Sequence, residues 1–158
     1  MLASDIFRLA PLDATIRFSN GAPQPPDRFR RKLRAWEEEN GSGTLVEWRT
    51  GRDGGLSPLP ATFGLHIATY ASCGRPVLVV RRIYSIASRL DFEILGRPAL
   101  GSALVLSRSG EGEELLHAGA DTGEASAWLA RSGYRDATIA IVSDTAIVPR
   151  PLVRRRAA

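Results

Sequence analysis

The middle of the chain constrains the fold more than any other part. TLVEWR, residues 44–49, is rich in residues that favour strands. In ATFGLHIATYASCG, residues 61–74, apolar side chains recur at the i, i+4, i+7 spacing of a helix, and the last glycine can end that helix. VLVVRRIY, residues 77–84, is an apolar run typical of a strand buried in a sheet. Strand, helix and strand in this order predict one right-handed βαβ unit.

Further elements are predicted on both sides of this unit. Residues 85–98 are ambiguous between a short helix and an edge strand. The helices are predicted at 26–39, 61–73 and 122–132, the last one capped by Asp121 or Thr122 and ended by Gly133. The remaining strands are predicted at 14–19, 103–107, 114–118, 138–142 and 145–148. The expected fold class is therefore mixed α/β (α+β), with one twisted sheet of five to seven strands and three packed helices.

The length and the charge distribution predict one domain with a short basic tail. The 158 residues fit a single domain, assigned here to residues 1–150, and residues 151–158 are expected to form a flexible tail that folding does not need. The net charge is +4, but three arginines stand together near the end of the chain. Without them, 18 basic residues face 17 acidic ones, for a net charge of +1. A dedicated nucleic-acid-binding domain is expected to carry a larger basic excess on its own surface.

Several features of the sequence bear on the compartment. No stretch approaches the ~20 consecutive apolar residues that a membrane-spanning helix needs. The first ten residues lack the basic region and apolar core of a signal peptide. The single cysteine, Cys73, excludes an internal disulfide. A cytoplasmic protein without a membrane partner is the expectation.

The helix predicted at 26–39 has an unusual order of charges. Its sequence, DRFRRKLRAWEEEN, places five basic residues before three acidic ones. This is the order that the helix dipole disfavours. Phe29, Leu33 and Trp36 fall on one narrow arc and predict a stripe buried against the sheet. On this interpretation Trp36 is largely buried, and its truncation costs ~3–5 kcal/mol.

Two interpretations of these charges stay open at the level of sequence. The cations are either the solvated face of an ordinary amphipathic helix or a surface for an acidic partner. Internal pairing of Arg34 with Glu37 and Glu38 at helical spacing would favour the first interpretation. The candidate partner-binding residues are Arg28, Arg30, Arg31, Lys32 and Arg34 in the helix, and Arg154, Arg155 and Arg156 in the tail.

Catalytic candidates are sparse. Glu47 followed by Arg49 resembles the ExK end of the PD-(D/E)xK nuclease pattern, although arginine replaces the lysine and no proline–aspartate precedes it. A metal-dependent nuclease or phosphodiesterase would use Glu47 together with Asp53, Asp91 and Glu93. His66 and Cys73 would stand two turns apart on a helix, ~10.5 Å along its axis, too far for a thiol–imidazole pair. A buried cysteine and a hydrogen-bonded histidine are expected there, with no cofactor and no metal.

A non-enzymatic binding protein is the leading functional hypothesis. It would dock on a protein or on a protein–nucleic-acid assembly. Of the 21 basic residues all but Lys32 are arginines, which is typical of a GC-rich bacterial genome. Small bacterial chains of this kind are often accessory proteins of mobile elements, such as inhibitors of host defence. Direct nucleic-acid binding and a small metal-dependent nuclease are the alternatives, and the sequence leaves the oligomeric state open.

Overall fold

A computed structural model of the chain describes residues 1–53, 57–144 and 150–152. These residues form one sheet of eight strands and three helices. The mixed class is confirmed, and the sheet exceeds the expected five to seven strands. The helices are α1 (Ala3–Leu9), α2 (Arg30–Glu39) and α3 (Thr122–Ser132). The strands are β1 (Thr15–Ser19), β2 (Gly41–Arg49), β3 (Thr62–Ser72), β4 (Arg75–Ser85), β5 (Asp91–Gly96), β6 (Ala103–Ser109), β7 (Gly112–Gly119) and β8 (Ala137–Ile141).

The sheet divides at β2. Its strand order is β4-β3-β2-β7-β6-β8, and β1 pairs with both β2 and β5. The first half of β2, from Gly41 to Thr44, pairs with β1, whereas Glu47 to Arg49 pair with β7. All of these strand pairs are antiparallel. The predicted βαβ unit is therefore wrong.

The segment predicted as helix 61–73 is strand β3. Its large buried side chains recur with period two, since Phe63 and Leu65 both lie in the core, with the buried Gly64 between them. At its end, Cys73 and Gly74 have φ angles of 52° and 74°, which suit a two-residue hairpin turn. The glycine that was interpreted as a helix stop thus reverses the chain into β4. Cys73 is exposed in this turn, so the expectation of a buried cysteine is also wrong.

Strand β4 is confirmed as a strand, but it is not buried. Among the described strands it pairs only with β3, at one edge of the sheet. Most of its side chains are exposed, including those of Val77, Leu78 and Val79, whereas Val80 is half-buried. An apolar run forms a buried strand only where other elements cover it. Among the described residues, no strand lies beside the outer edge of β4.

The main core lies between α1 and one face of the sheet. Helix α1, which the sequence did not predict, buries Ala3, Ile6 and Phe7 in this core. The predicted alternation of β1 is confirmed, because its Ile16 and Phe18 are fully buried. Phe18, Phe63, Tyr84 and Phe92, the aromatic cluster, pack with ring centroids 5.3–5.7 Å apart.

The bounds predicted for helix α3 are confirmed, and the helix packs in a second, smaller core. Ala103 and Val105 of β6 and Ala125 of α3 are buried there, with Trp128 against them. Asp121 Oδ1 accepts a hydrogen bond from the Glu124 backbone N–H at 2.9 Å. Gly133 ends the helix with φ 77°. Local capping signals therefore set both ends of this helix.

The cap of α3 gives a first prediction. Asp121→Ala should lower the free energy of unfolding by about 1 kcal/mol, because the Glu124 N–H then loses its acceptor. Asp136→Ala is the matched control, since Asp136 is exposed just after the helix and makes no hydrogen bond or ion pair with the described residues. Urea denaturation of both variants measures the difference. Equal midpoints would contradict the assigned cap.

The last described residues touch the body of the protein. Gly51 N–H donates to Leu152 O at 2.9 Å, and Leu152 packs against the main core. Arg150 donates from Nη1 to Phe7 O at 2.8 Å and lies over the Trp48 ring. Burial lowers the pKa of Arg150 to about 10. The packed chain thus reaches Leu152. The strand predicted at 145–148 lies outside the described residues.

Candidate functional site

Helix α2 is anchored at its carboxyl end. Asn40, buried directly after the helix, donates from Nδ2 to Trp36 O at 2.8 Å and to Asn20 Oδ1 at 2.9 Å. Ser19 Oγ donates to Asn40 Oδ1 at 2.7 Å. Arg82 of β4 donates from Nη1 to the carbonyls of Glu37, at 3.2 Å, and Glu38. A cation at this end is favourable to the helix dipole and satisfies carbonyls that lack helical partners.

The amino end of α2 has little support. The helix begins at Arg30, four residues later than predicted, after a turn in which Phe29 N–H donates to Pro26 O at 2.9 Å. Phe29 occupies the capping position and offers no side-chain acceptor to the first turn. No acidic residue lies in that turn. The free N–H groups and the cations therefore add positive potential at the same end.

The stripe predicted on α2 is only partly covered. No side chain of the helix is buried, Leu33 and Trp36 are half-buried, and Phe29 is 43% exposed. Trp36 Nε1 donates to Ala22 O at 2.8 Å, so the indole packs on the loop that precedes the helix. Trp36 is thus covered by this loop and not by the sheet. Neither Trp36 nor Leu33 belongs to a buried core among the described residues, so the predicted packing of the stripe against the sheet is not seen.

The five cations of residues 28–34, the basic segment, are all exposed. None of them forms an ion pair within 4.0 Å among the described residues. The pairing of Arg34 with Glu37 and Glu38 is therefore wrong. Arg28 and Lys32 lie over the exposed Phe29 ring, at 4.8 and 5.5 Å from its centroid. Side chains that fold back on one exposed ring form a cationic surface around an aromatic centre.

The acidic candidates for a metal site fall in two groups: Asp91 and Glu93 share one face of β5, whereas Glu47 lies on β2 and Asp53 in the loop after it. Glu93 on β5 pairs with Arg17 at 3.0 Å, and Asp91 is exposed two residues before it on the same strand. Glu47 lies on β2 beyond the residues that pair with β1, and Asp53 is exposed in the following loop. Across the part of the chain that the structure describes, no group of three or more histidine, cysteine, aspartate or glutamate side chains is placed to hold a metal ion.

Glu47 has a structural environment of its own. It is nearly buried, and its side chain fills the space above Gly64, where a Cβ would lie 2.5 Å from Glu47 Cγ. Its Oε2 lies 3.8 Å from Arg49 Nη2. Glu114 stands opposite Glu47 on β7 and pairs with Arg81 at 2.6 Å. The arginines offset the repulsion between two carboxylates that face each other across strands.

The histidines take separate places. His66 lies on β3, where its Nε2 is 2.7 Å from Thr69 Oγ1, as expected for a hydrogen-bonded histidine. His117 lies on β7 and stacks on Trp128 of α3 at 4.8 Å, nearly parallel. Trp128 in turn stacks on Tyr134 at 6.0 Å. The sequence did not predict this stack, because its members meet only through the tertiary fold.

A cavity of about 410 Å³ lies beside Trp48 and Pro151. Two ion pairs, Arg108–Glu113 and Arg52–Glu111, stand at or beside its wall. The Trp48 indole N–H is buried and has no hydrogen-bond partner among the described residues. Because these charged groups are paired with each other, they offer a ligand no unpaired charge within the described residues. The basic segment, in contrast, offers five unpaired cations.

None of the three helices in the described part of the chain is long and apolar enough to cross a membrane. The tail residues Arg154, Arg155 and Arg156 lie outside that part.

The comparisons with known proteins place the chain in a family without adding a function. No curated protein and no solved structure matches the chain significantly. Residues 1–146 match the model of the family described as uncharacterised conserved protein UCP036055, and the chain belongs to that family.

Proposed function

We propose that this protein is a non-enzymatic binding protein that docks through the basic segment on an acidic surface of a protein or nucleoprotein partner. The observation that carries the proposal is the state of the five cations, all of which are exposed and without an ion pair among the described residues. They also stand at the helix end where the dipole disfavours them. A bound acidic surface would offset this cost.

The arginines of the sheet behave differently. Five of them have a carboxylate partner within 4.0 Å, and the partners lie on the same or a neighbouring strand or loop. The pairs are Arg17–Glu93, Arg49–Glu47, Arg52–Glu111, Arg81–Glu114 and Arg108–Glu113. Because nearby carboxylates already compensate these arginines, the basic segment supplies the densest uncompensated positive charge in the described chain.

The shape of α2 supports docking. Its carboxyl end is held by Asn40 and Arg82, whereas its amino end presents the exposed Phe29 with Arg28 and Lys32 over the ring. Aromatic and arginine side chains are both enriched in protein interfaces. Charge around it accelerates encounter with an acidic partner, and this effect weakens as salt screens the charges. The accessory or inhibitor role expected from the sequence is part of this proposal, with the protein acting by occupying a partner's surface.

The test is a capture experiment from the source cell, followed by mass spectrometry. Wild-type protein should retain a partner that Arg28→Gln/Arg31→Gln/Lys32→Gln loses at low salt. The free variant should melt at the same temperature as the wild type or slightly higher, because the substitutions remove cations from the amino end of a helix. Lowered stability with intact capture would show that the basic segment serves the fold instead.

The matched control removes the same charge elsewhere. Arg89, Arg97 and Arg135 are exposed and form no ion pair among the described residues. Their triple glutamine variant should retain the partner. Nuclease treatment separates the two partner classes: a protein that stays bound supports docking on a protein, whereas complete release of the captured material indicates direct nucleic-acid binding.

A further inference from the structure

Helix α2 has an apolar stripe that the described chain covers only in part. Leu33 and Trp36 are half-buried, Phe29 is 43% exposed, and neither buried core includes a residue of the helix. A helix of ten residues is marginal in water unless one of its faces packs on another element. A further surface that covered the stripe would therefore stabilise the helix.

The acidic end of α2 is as uncompensated as its basic end. Glu37, Glu38 and Glu39 are exposed and form no ion pair within 4.0 Å among the described residues. Arg82 binds backbone carbonyls at this end and not the carboxylates. The helix dipole disfavours anions at a carboxyl end, as it disfavours cations at an amino end. A uniformly acidic surface along the whole helix would offset the second cost but would repel these carboxylates.

A surface that compensates both ends must be acidic beside the cations and basic beside the carboxylates. Helix α2 itself carries this order of charges when it runs in the opposite direction. We infer that α2 packs antiparallel on α2 of a second copy of this chain, about a two-fold axis level with the middle of the helix, between Arg34 and Ala35. Such a contact requires a self-complementary surface, which the charge order of α2 provides.

The spacing of the charges matches this packing. At ~100° per residue, Arg30 and Glu37 lie on one side of the stripe, and Lys32 and Glu39 lie on the other side. The axis runs between the helices, perpendicular to both and to the line that joins them, so each side meets the same side of the second copy. Arg30 therefore faces Glu37 of the second copy, and Lys32 faces Glu39 of the second copy. Each ion pair occurs twice by symmetry.

The apolar stripe forms the seam between these ion pairs. Leu33 stands level with Trp36 of the second copy. Arg31 and Arg34 lie on the opposite side of the helix and stay exposed for an acidic partner, so the inference does not rest on the proposed function. Two helices of ten residues bury a small area, and the dimer is therefore expected to be weak and reversible.

Sedimentation of the full chain at low salt, from micromolar to submillimolar concentrations, measures the pairing. The wild type should pass from the 17.1 kDa chain mass towards twice that mass as its concentration rises. Added salt should weaken the dimer on the order of tenfold, because it screens the ion pairs. Arg30→Glu/Lys32→Glu should remain a monomer, and so should Glu37→Lys/Glu39→Lys, because each variant places like charges opposite each other. Melting curves show whether both variants fold.

A mixture of the two variants restores the complementary charges. In an antiparallel pair the reversed charges of one variant face the reversed charges of the other, so the mixture should sediment as a dimer again. Asp91→Lys/Asp136→Lys is the matched control, since both carboxylates are exposed and form no ion pair among the described residues. It carries the same charge change as Glu37→Lys/Glu39→Lys and should dimerise as the wild type does.

A wild type that stays monomeric over the whole concentration range would overturn the inference. A wild-type dimer that survives both charge reversals would overturn it too, as would a mixture that stays monomeric although both variants fold. None of these outcomes bears on the proposed function. Glu37→Lys/Glu39→Lys leaves all five cations of the basic segment in place, so capture of a partner by this variant measures that function separately.

Discussion

Gly112→Ala is expected to lower the free energy of unfolding by about 3 kcal/mol or more. A Cβ at this position would lie 2.1 Å from Trp48 O and 3.0 Å from the Cα of Arg49. Both of these are backbone atoms, which cannot move aside as a flexible side chain can. Gly112 pairs with Arg49 where β7 joins β2, so the clash separates the two parts of the sheet. Thermal melting should show a drop of about 10 °C.

Gly96→Ala is the control for this prediction. Gly96 also lies in a strand and also pairs across the sheet, but a Cβ there would meet only the Thr15 side chain at 3.9 Å. This substitution should change the free energy of unfolding by less than about 1 kcal/mol. If the two alanine variants melted alike, the close approach of β7 to β2 would be refuted.

Phe63→Ala is expected to cost ~3–5 kcal/mol, as a large deletion from a packed core. Phe63 is 1% exposed and lies between Tyr84 at 5.7 Å and Phe92 at 5.4 Å, measured between ring centroids. Its removal leaves a cavity in the aromatic cluster, which connects β1, β3, β4 and β5. Equilibrium denaturation in urea measures the loss.

Trp36→Ala provides the matched comparison, as the same type of truncation on α2. The Trp36 ring is only half-buried, and its Nε1 donates a hydrogen bond to Ala22 O. The cost should stay near 1–2 kcal/mol, well below that of Phe63→Ala. Equal losses for the two variants would mean that α2 packs on the sheet as the sequence had predicted.

The sequence predicted those elements whose signals are local. Helix α3 carries its own cap at Asp121 and its own stop at Gly133, and both act as expected. The hairpin of β6 and β7 forms around the glycine-rich turn between two apolar runs. In each case residues within a few positions of one another fix the conformation, and no distant partner is needed.

The prediction failed where only distant partners decide. In β3, Phe63 and Ile67 satisfy a helical spacing and a strand spacing alike, and pairing with β2 and β4 selects the strand. The exposure of β4 has the same origin, since an apolar run does not reveal which strands lie beside it. The carboxylates Glu47 and Glu93 could be named from sequence, but their separation follows from the topology of β1, β2 and β5.

The basic segment was identifiable from sequence because its cations are consecutive on one helix. Its unpaired state was not, because Arg34 has acidic residues at helical spacing and still forms no ion pair among the described residues. The capture of the α2 carboxyl end by Arg82 likewise joins residues more than forty positions apart. Charge order is therefore a local signal, whereas charge compensation is a property of the fold.

A titration of a fluorescent poly-glutamate peptide, followed by anisotropy at low salt, tests the central claim most directly. The peptide stands in for an acidic partner surface. Arg28→Gln/Arg31→Gln/Lys32→Gln should weaken binding on the order of tenfold relative to wild type, and the difference should shrink as salt is added. The triple glutamine variant of Arg89, Arg97 and Arg135 should bind nearly as the wild type does. Equal weakening in both variants would contradict the account, because net charge alone would then explain the binding.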